Sequence, residues 1–421
     1  MNILLVDDNR DIPNWGCRAT SISLHQLLSQ ENSITATIDK RTVNQGQLPR
    51  GKIKHLSKFT DLLNIKLRED FLSEDPAQSL SQLFKLKEKN QALKSIYEKV
   101  SSVEIVVING EGSMIFTTPP RTDLKFQLMM IELANFLNKP VYYVNAMVSD
   151  CPVSGRNALT FKVAIKTLLK CHGISFRDNY SYEMIKDYVS DVNCKMIPDA
   201  LFSWQERYQF GEKNYLPDNG DFIIPFSESD KYLGKLDFSQ PYICIGGSSL
   251  AARNHAKAIL VYKKLVETIK KLGLNVYLVT TCNGDRFLEK IAELTETPIV
   301  PVHVPILMGA SVLANARLFI SGRYHPSILA SLGGTPCIFL GSNSHKTKSL
   351  QSVLEYEKIR EFDVFPEAEE CDEILYLAKD LINRGDSLRQ SIKHVVSKRA
   401  EESREVIELI NSQLNAIPSH R

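Results

Sequence analysis

"LFISGRYHPSILASLGGTPCIFLGSN", residues 318–343, sets out a strand, a polar triplet, a helix and a second strand in immediate succession. Leu318 to Ile320 is a short apolar run that ends at Ser321 and Gly322. Pro326 then falls where a first helical turn accepts proline, and Ile328, Leu329 and Leu332 supply an apolar helix face. Gly333 and Gly334 make the turn into Cys337–Leu340, which reads as the next buried strand. A strand followed by a short helix and another strand is the unit of a parallel α/β sheet, and such sheets bind ligands at the carboxyl ends of their strands. Arg323 and His325 stand on that rim, beside a helix N-terminus that favours anions.

The same rhythm extends outward in both directions. "YICIGGSS" (242–249) and "NVYLVTT" (275–281) are further strands of the second half, each followed by a helical pattern. In the first half, "NILLVDD" (2–8), "SITATI" (33–38), "VEIVVIN" (103–109), "PVYYVNA" (140–146) and "GISF" (173–176) read as strands. Strands alternating with helices twice over predict two doubly wound α/β domains, residues 1–202 and 203–421, facing a cleft. Pro198, Pro217 and Pro225 mark the linker between them. A long charged helix at 386–413 is expected to cross back to the first domain. The stretch 40–100, richer in basic than acidic residues, reads as an insertion in the first domain containing one helical pattern.

Composition narrows the class. A chain of 421 residues exceeds one ordinary core, and its 43% hydrophobic and 24% charged content is that of a globular protein. A net charge of +2 disfavours a dedicated nucleic-acid binder. The eight cysteines form no Cys-x-x-Cys pair, which offers neither a zinc knuckle nor a disulfide framework. No run reaches the roughly 18 apolar residues of a spanning helix, and the N-terminus lacks the pattern of a secretory signal. The expected location is cytoplasmic, with peripheral contact at the inner membrane face left open by the basic stretch. No metal site is visible.

Several loops could meet a ligand. In "DDNRDIPNWGCRATS", Asn14 and Gly16 can form a tight turn with its NH groups directed at a ligand, although an ordinary helix start explains them equally well. In "GEGS", Gly110 and Gly112 permit close backbone approach, while Glu111 and Ser113 offer an acceptor and a donor. It is not the dinucleotide fingerprint, because the third glycine is absent. Gly246, Gly247, Ser248 and Ser249 follow a strand and could cradle a phosphate, yet the Gly-Lys-Ser/Thr ending of a P-loop is missing. Arg177 and Arg323, both at strand exits, could clamp a small anion bidentately. "SNSHK" adds Asn343 and Lys346 to the same rim.

Together "NWG", "INGEGS", "ISFRDNYS", "IPDALF" (197–202), "GGSS" and "SGRYHPSILASLGGTPCIFLGSNSHK" resemble the polysaccharide pyruvyl transferase family, in family order from residue 6 to about 350. The resemblance implies a GT-B-like architecture of two Rossmann-like domains. It also implies transfer of an enolpyruvyl-derived group from phosphoenolpyruvate, without a further cofactor, onto two hydroxyls of a saccharide or lipid-linked oligosaccharide. On that basis Arg177, Arg323 and His325 are the expected catalytic residues, and Gly246 to Ser249, Asn343 and Lys346 the donor site. Asn14, Gly16 and Gly110 to Ser113 are expected on the acceptor side. The chain departs from many relatives in carrying Cys17 and Arg18, in place of an acidic residue, after Asn-x-Gly. A GT-B glycosyltransferase with a nucleotide-sugar donor is the competing expectation, and Asp285 and Glu289 are its only candidate ribose carboxylates.

Overall fold

The computed structural model describes residues 1–46, 71–208, 210 and 236–412. Alternating apolar sequence becomes two six-stranded sheets, every paired strand parallel to its neighbour. The first contains β1 (Asn2–Val6), β2 (Ser33–Ile38), β3 (Ile105–Phe116), β4 (Val141–Asp150), β5 (Gly173–Phe176) and β6 (Asn193–Met196) in the order β2-β1-β3-β4-β5-β6. The second contains β7 (Tyr242–Ser248), β8 (Asn275–Val279), β9 (Ile299–Val300), β10 (Leu318–Gly322), β11 (Cys337–Leu340) and β12 (Glu361–Phe362) in the order β12-β11-β10-β7-β8-β9. Strand order reverses between β1 and β3 in one sheet and between β7 and β10 in the other. Crevices outside those switch points are where open α/β sheets bind ligands.

Near-continuous apolar strands such as Ile3–Val6 and Leu318–Ile320 are fully buried because helices cover both faces of each sheet. The helices Pro76–Leu86 and Gln91–Ser102 lie between β2 and β3, and their Leu83, Leu86, Leu93, Ile96 and Val100 enter the core of the first sheet. The described part of the basic stretch is therefore crossover structure and not an appended module. Residues 47–70, its remainder, lie outside the described residues, as do Pro217 and Pro225 of the linker. Lys87 spends its charge on an aromatic face, with its ammonium 3.8 Å from the Tyr97 ring centroid. No described helix is long and apolar enough to cross a membrane.

Three expectations need correction. "GEGSMIF" is not a loop: β3 runs on through Phe116, because Gly110 lets Tyr143 and Ala146 of β4 close against it. "GGS" likewise is the end of β7, and only Ser249 opens the turn. The terminal helix is two helices, Gly385–Ser403 and Glu405–Ser412, and residue 413 lies outside the described residues. The second of these packs on the first sheet, with Val406, Ile407, Leu409 and Ile410 joining Ile3, Leu5, Tyr142 and Val144 in one cluster.

Candidate functional site

The two sheets point their carboxyl ends at each other, and the first helix pins them together. Asn14 caps the helix Trp15–Leu28 by accepting from the Cys17 amide at 3.2 Å. Its neighbour Trp15 reaches into the other half: its amide donates to the Thr281 carbonyl (2.9 Å) and its indole Nε1 to the Val302 carbonyl (2.8 Å). The indole lies flush on Gly309, where any Cβ would stand 2.7 Å from the ring. Gly16 is required for the same kind of reason, since a Cβ there would lie 2.8 Å from Nδ1 of His325. It makes room for a histidine and does not serve as a turn.

That histidine sits in a buried ionic group drawn from both halves. Arg177, just after β5, donates from Nη1 to Asp199 Oδ2 (2.9 Å) and lies 2.8 Å from His325 Nε2. His325 Nε2 is in turn 3.1 Å from the same Asp199 oxygen. Arg177 is 1% exposed and Asp199 0%, so each charge depends on the other. Desolvation opposes the Asp199 charge, but His325 and Arg177 outweigh it and hold the carboxyl well below its usual range. Desolvation equally disfavours charged Arg177, and Tyr324, Asp199, Asp178 and Glu111 more than offset it. The guanidinium also stacks on Tyr324, 4.1 Å from the ring centroid. Among the described residues its Nη2 makes no hydrogen bond.

Arg323, at the end of β10, is tied by Nε (3.1 Å) and Nη2 (2.5 Å) to Asp285 Oδ1. Asp285 is fully buried and also accepts from the Thr281 amide and hydroxyl. Gly247 exists to admit this carboxylate, because a Cβ there would fall 2.1 Å from Asp285 Oδ1. Asp285 is thus an arginine's partner and not a ribose acceptor, and among the described residues Nη1 of Arg323 makes no hydrogen bond. Lys346 opens the next helix, with Nζ 2.8 Å from Asn343 Oδ1 and 3.3 Å from Ser249 Oγ. Burial, then the nearby Arg323, Arg177 and Arg121, pull its pKa from 10.5 to about 7. One loop residue earlier, His345 meets buried Asp178 at 3.2 Å and stacks on Tyr180. This gives the two halves a second histidine–carboxylate contact.

Between these groups lies a cavity of about 230 Å³. Of the residues singled out from the sequence, Asn14, Gly16, Glu111, Gly112 and Ser113 line it from the first half. Arg177 joins them there, and Ser249, Arg323, His325, Asn343 and Lys346 line it from the second. Gly110, Gly246, Gly247 and Ser248 do not: they are packing and strand positions, with the Ser248 hydroxyl spent on the Gly341 carbonyl. Arg121, Asp123, Thr281, Cys282 and Tyr324 line the cavity without having been foreseen. Asp199 and Asp178 stand inside the quoted "IPDALF" and "ISFRDNYS" stretches, but neither is assigned a role there. Asp178 caps the helix at Ser181 locally, whereas its contact with His345 and that of Asp199 with His325 come from the second half.

The family profile described as polysaccharide pyruvyl transferase matches residues 24–344. No curated protein matches the chain. Among solved structures, the chain is similar to a UDP-N-acetylglucosamine 2-epimerase from Rickettsia bellii at 11% identity, with 100% of this chain and 98% of that chain covered and a TM-score of 0.56. A UDP-GlcNAc 2-epimerase from Neisseria meningitidis, bound to UDP-GlcNAc, gives 11% identity, 99% and 100% coverage and a TM-score of 0.55. Os79 from O. sativa, in complex with UDP, gives 12%, 98% and 99%, and 0.57. At such identities the likeness carries the GT-B fold alone.

Proposed function

This chain belongs to the polysaccharide pyruvyl transferase family, and from that premise we propose that it transfers the enolpyruvyl-derived group of phosphoenolpyruvate onto two hydroxyls of a saccharide, closing a cyclic ketal. One observation carries the choice of donor. The cavity at the paired switch points is small, about 230 Å³, and is lined by Arg121, Arg177, Arg323 and Lys346. Sites that enclose drug-sized ligands run to roughly 300–1,000 Å³, so a compact anion suits this one better than a whole nucleotide sugar. Two unbonded guanidinium nitrogens and an ammonium match a carboxylate and a phosphate held on three carbons.

In this reading Arg323, Arg177 and Lys346 fix the donor between the two halves. His325, oriented by Asp199 and Arg177, gives a proton to the methylene carbon C3. C2 becomes oxocarbenium-like and one acceptor hydroxyl bonds to it. The C2–O bond to phosphate then breaks, and the second hydroxyl closes the ring at C2. Two hydroxyl protons are lost in all: one balances the proton placed on C3, and the other leaves with phosphate. The acceptor lies on the side of Asn14, Gly112 and Ser113.

The test pairs donors. Purified protein is given phosphoenolpyruvate, or a set of UDP-sugars, with methyl hexosides bearing a free 4,6-diol. Phosphate release from phosphoenolpyruvate, with a product heavier than the hexoside by one pyruvate less one water, supports the proposal. Release of UDP with glycoside formation would replace it with glycosyl transfer.

A further inference from the structure

The transfer described above needs a base as well as an acid, and we propose that Glu111 is that base, accepting the proton of the acceptor hydroxyl as its oxygen bonds to C2. This rests on the pyruvyl-transfer reading and assigns a reacting role to a residue so far placed only on the acceptor wall.

The carboxylates around the site sort themselves by partner. Asp199 is committed to Arg177 and His325, Asp178 to His345 and Ser181, and Asp285 to Arg323. Of the two carboxylates lining the cavity, Asp123 lies 3.5 Å from Arg121. Glu111 has no cation within ion-pair distance among the described residues. Its Oε1 accepts from Asn9 Nδ2 (3.2 Å) and Asn109 Nδ2 (3.4 Å), which fixes the group, while Oε2 makes no hydrogen bond among the described residues. A carboxylate anchored by one oxygen and free at the other has the form a general base needs.

The backbone points the same way. Glu111 has φ of 38° inside β3, and the register against β4 shifts between Glu111 and Met114. Such a conformation in a residue with a Cβ costs about 1–3 kcal/mol and persists where surrounding structure imposes it. Gly110 and Gly112 flank it, so the strain falls on the one residue of the three that carries a functional group. A hydrogen-bonded chain then links base to acid. Asn145 Nδ2 donates to Asn109 Oδ1 (3.0 Å) and to Thr20 Oγ1 (2.8 Å), and Thr20 donates to Asp199 Oδ1 (2.8 Å). Asp199 in turn holds His325 at 3.1 Å. Glu111 comes from the first sheet and His325 from the second half, so the chain sets the spacing of two groups that no single element could position.

The step balances. The hydroxyl O–H breaks and its proton goes to Glu111. The C2=C3 π pair takes the proton of His325 onto C3 as the O–C2 bond forms, and after product leaves Glu111 gives its proton to solvent while His325 takes one up.

The experiment compares wild type, Glu111→Gln and Glu111→Ala. Turnover is read as phosphate release from phosphoenolpyruvate with the methyl hexosides or water as nucleophile, and donor affinity by calorimetry. Glu111→Gln should lower kcat about 10²–10³-fold, within the range of a lost acid–base group, with phosphoenolpyruvate affinity changed less than about threefold. Sodium formate should restore at least about tenfold of the lost rate to Glu111→Ala and nothing to His325→Gln, since it replaces a base and not an acid. Near-normal kcat in Glu111→Gln, or a folded Glu111→Ala enzyme that formate leaves unrescued, overturns the assignment while pyruvyl transfer stands. A wild-type enzyme that releases no phosphate with any nucleophile removes both.

Discussion

Replacing Lys346 by methionine should make the protein more stable and the site less able to hold its donor. Its pKa falls from 10.5 to about 7 through burial, then through Arg323, Arg177 and Arg121. At about 1.36 kcal/mol per unit, that shift places a penalty of about 5 kcal/mol on the folded protein whenever Lys346 is charged in both states. The sign follows from proton counting. Between pH 7 and 10.5 the unfolded chain binds the proton and the folded one does not, so stability rises with pH. The penalty is complete below pH 7 and fades toward 10.5. Methionine keeps the stem but gives up the bonds to Asn343 and Ser249, worth about 1 kcal/mol each. The net gain is therefore about 3 kcal/mol at pH 6, roughly 6–12 °C in Tm for domains of this size. By about pH 9 the two effects should cancel. Thermal melts of wild type and Lys346→Met at pH 6 and pH 9 measure this directly. A variant that melts no higher than wild type at pH 6, or a gain that does not shrink by pH 9, would show that burial does not penalise charged Lys346. In the same variant, phosphoenolpyruvate binding should weaken about tenfold or more, the worth of a charge-assisted contact.

Other expectations follow from the same contacts. His325→Gln should cut turnover about a hundredfold or more while donor affinity, by calorimetry, stays within a few-fold. Arg323→Ala should do more than weaken donor binding: it strands buried Asp285, costing about 3–5 kcal/mol of stability in denaturant melts. Arg323→Ala with Asp285→Asn should regain most of that stability but not donor binding, separating the two roles. Trp15→Ala should cost about 3–5 kcal/mol from its lost burial. It should also lower activity without touching the cavity chemistry, because its indole joins the two halves at Val302 and Gly309.

The elements of the fold are written locally in the chain. Apolar runs such as Ile3–Val6 and Leu318–Ile320 could only be strands covered on both faces, and their alternation with helices fixed the class of fold. Arg177, Arg323 and His325 were legible because each stands at a strand exit, where a local pattern says that a side chain reaches the ligand rim. What those side chains are bound to depends on residues brought together by folding. His325 lies 126 residues from Asp199 and 148 from Arg177 in the chain, and Asp285 lies 38 from Arg323. No periodicity encodes such pairings. The glycines show the same divide. Gly16 reads locally as a turn residue and Gly247 as part of a phosphate cradle, but their lack of a Cβ is needed by His325 and Asp285 arriving from elsewhere, as that of Gly309 is by Trp15. Glu111 was visible as a carboxylate near a ligand loop. That it lies in a strained strand, anchored at one oxygen and open at the other, depends on β4 closing over Gly110 and on Asn9 and Asn109 meeting at the switch point. Local sequence sets which residues can reach the cleft, and burial without a competing partner sets which of them remain available to react.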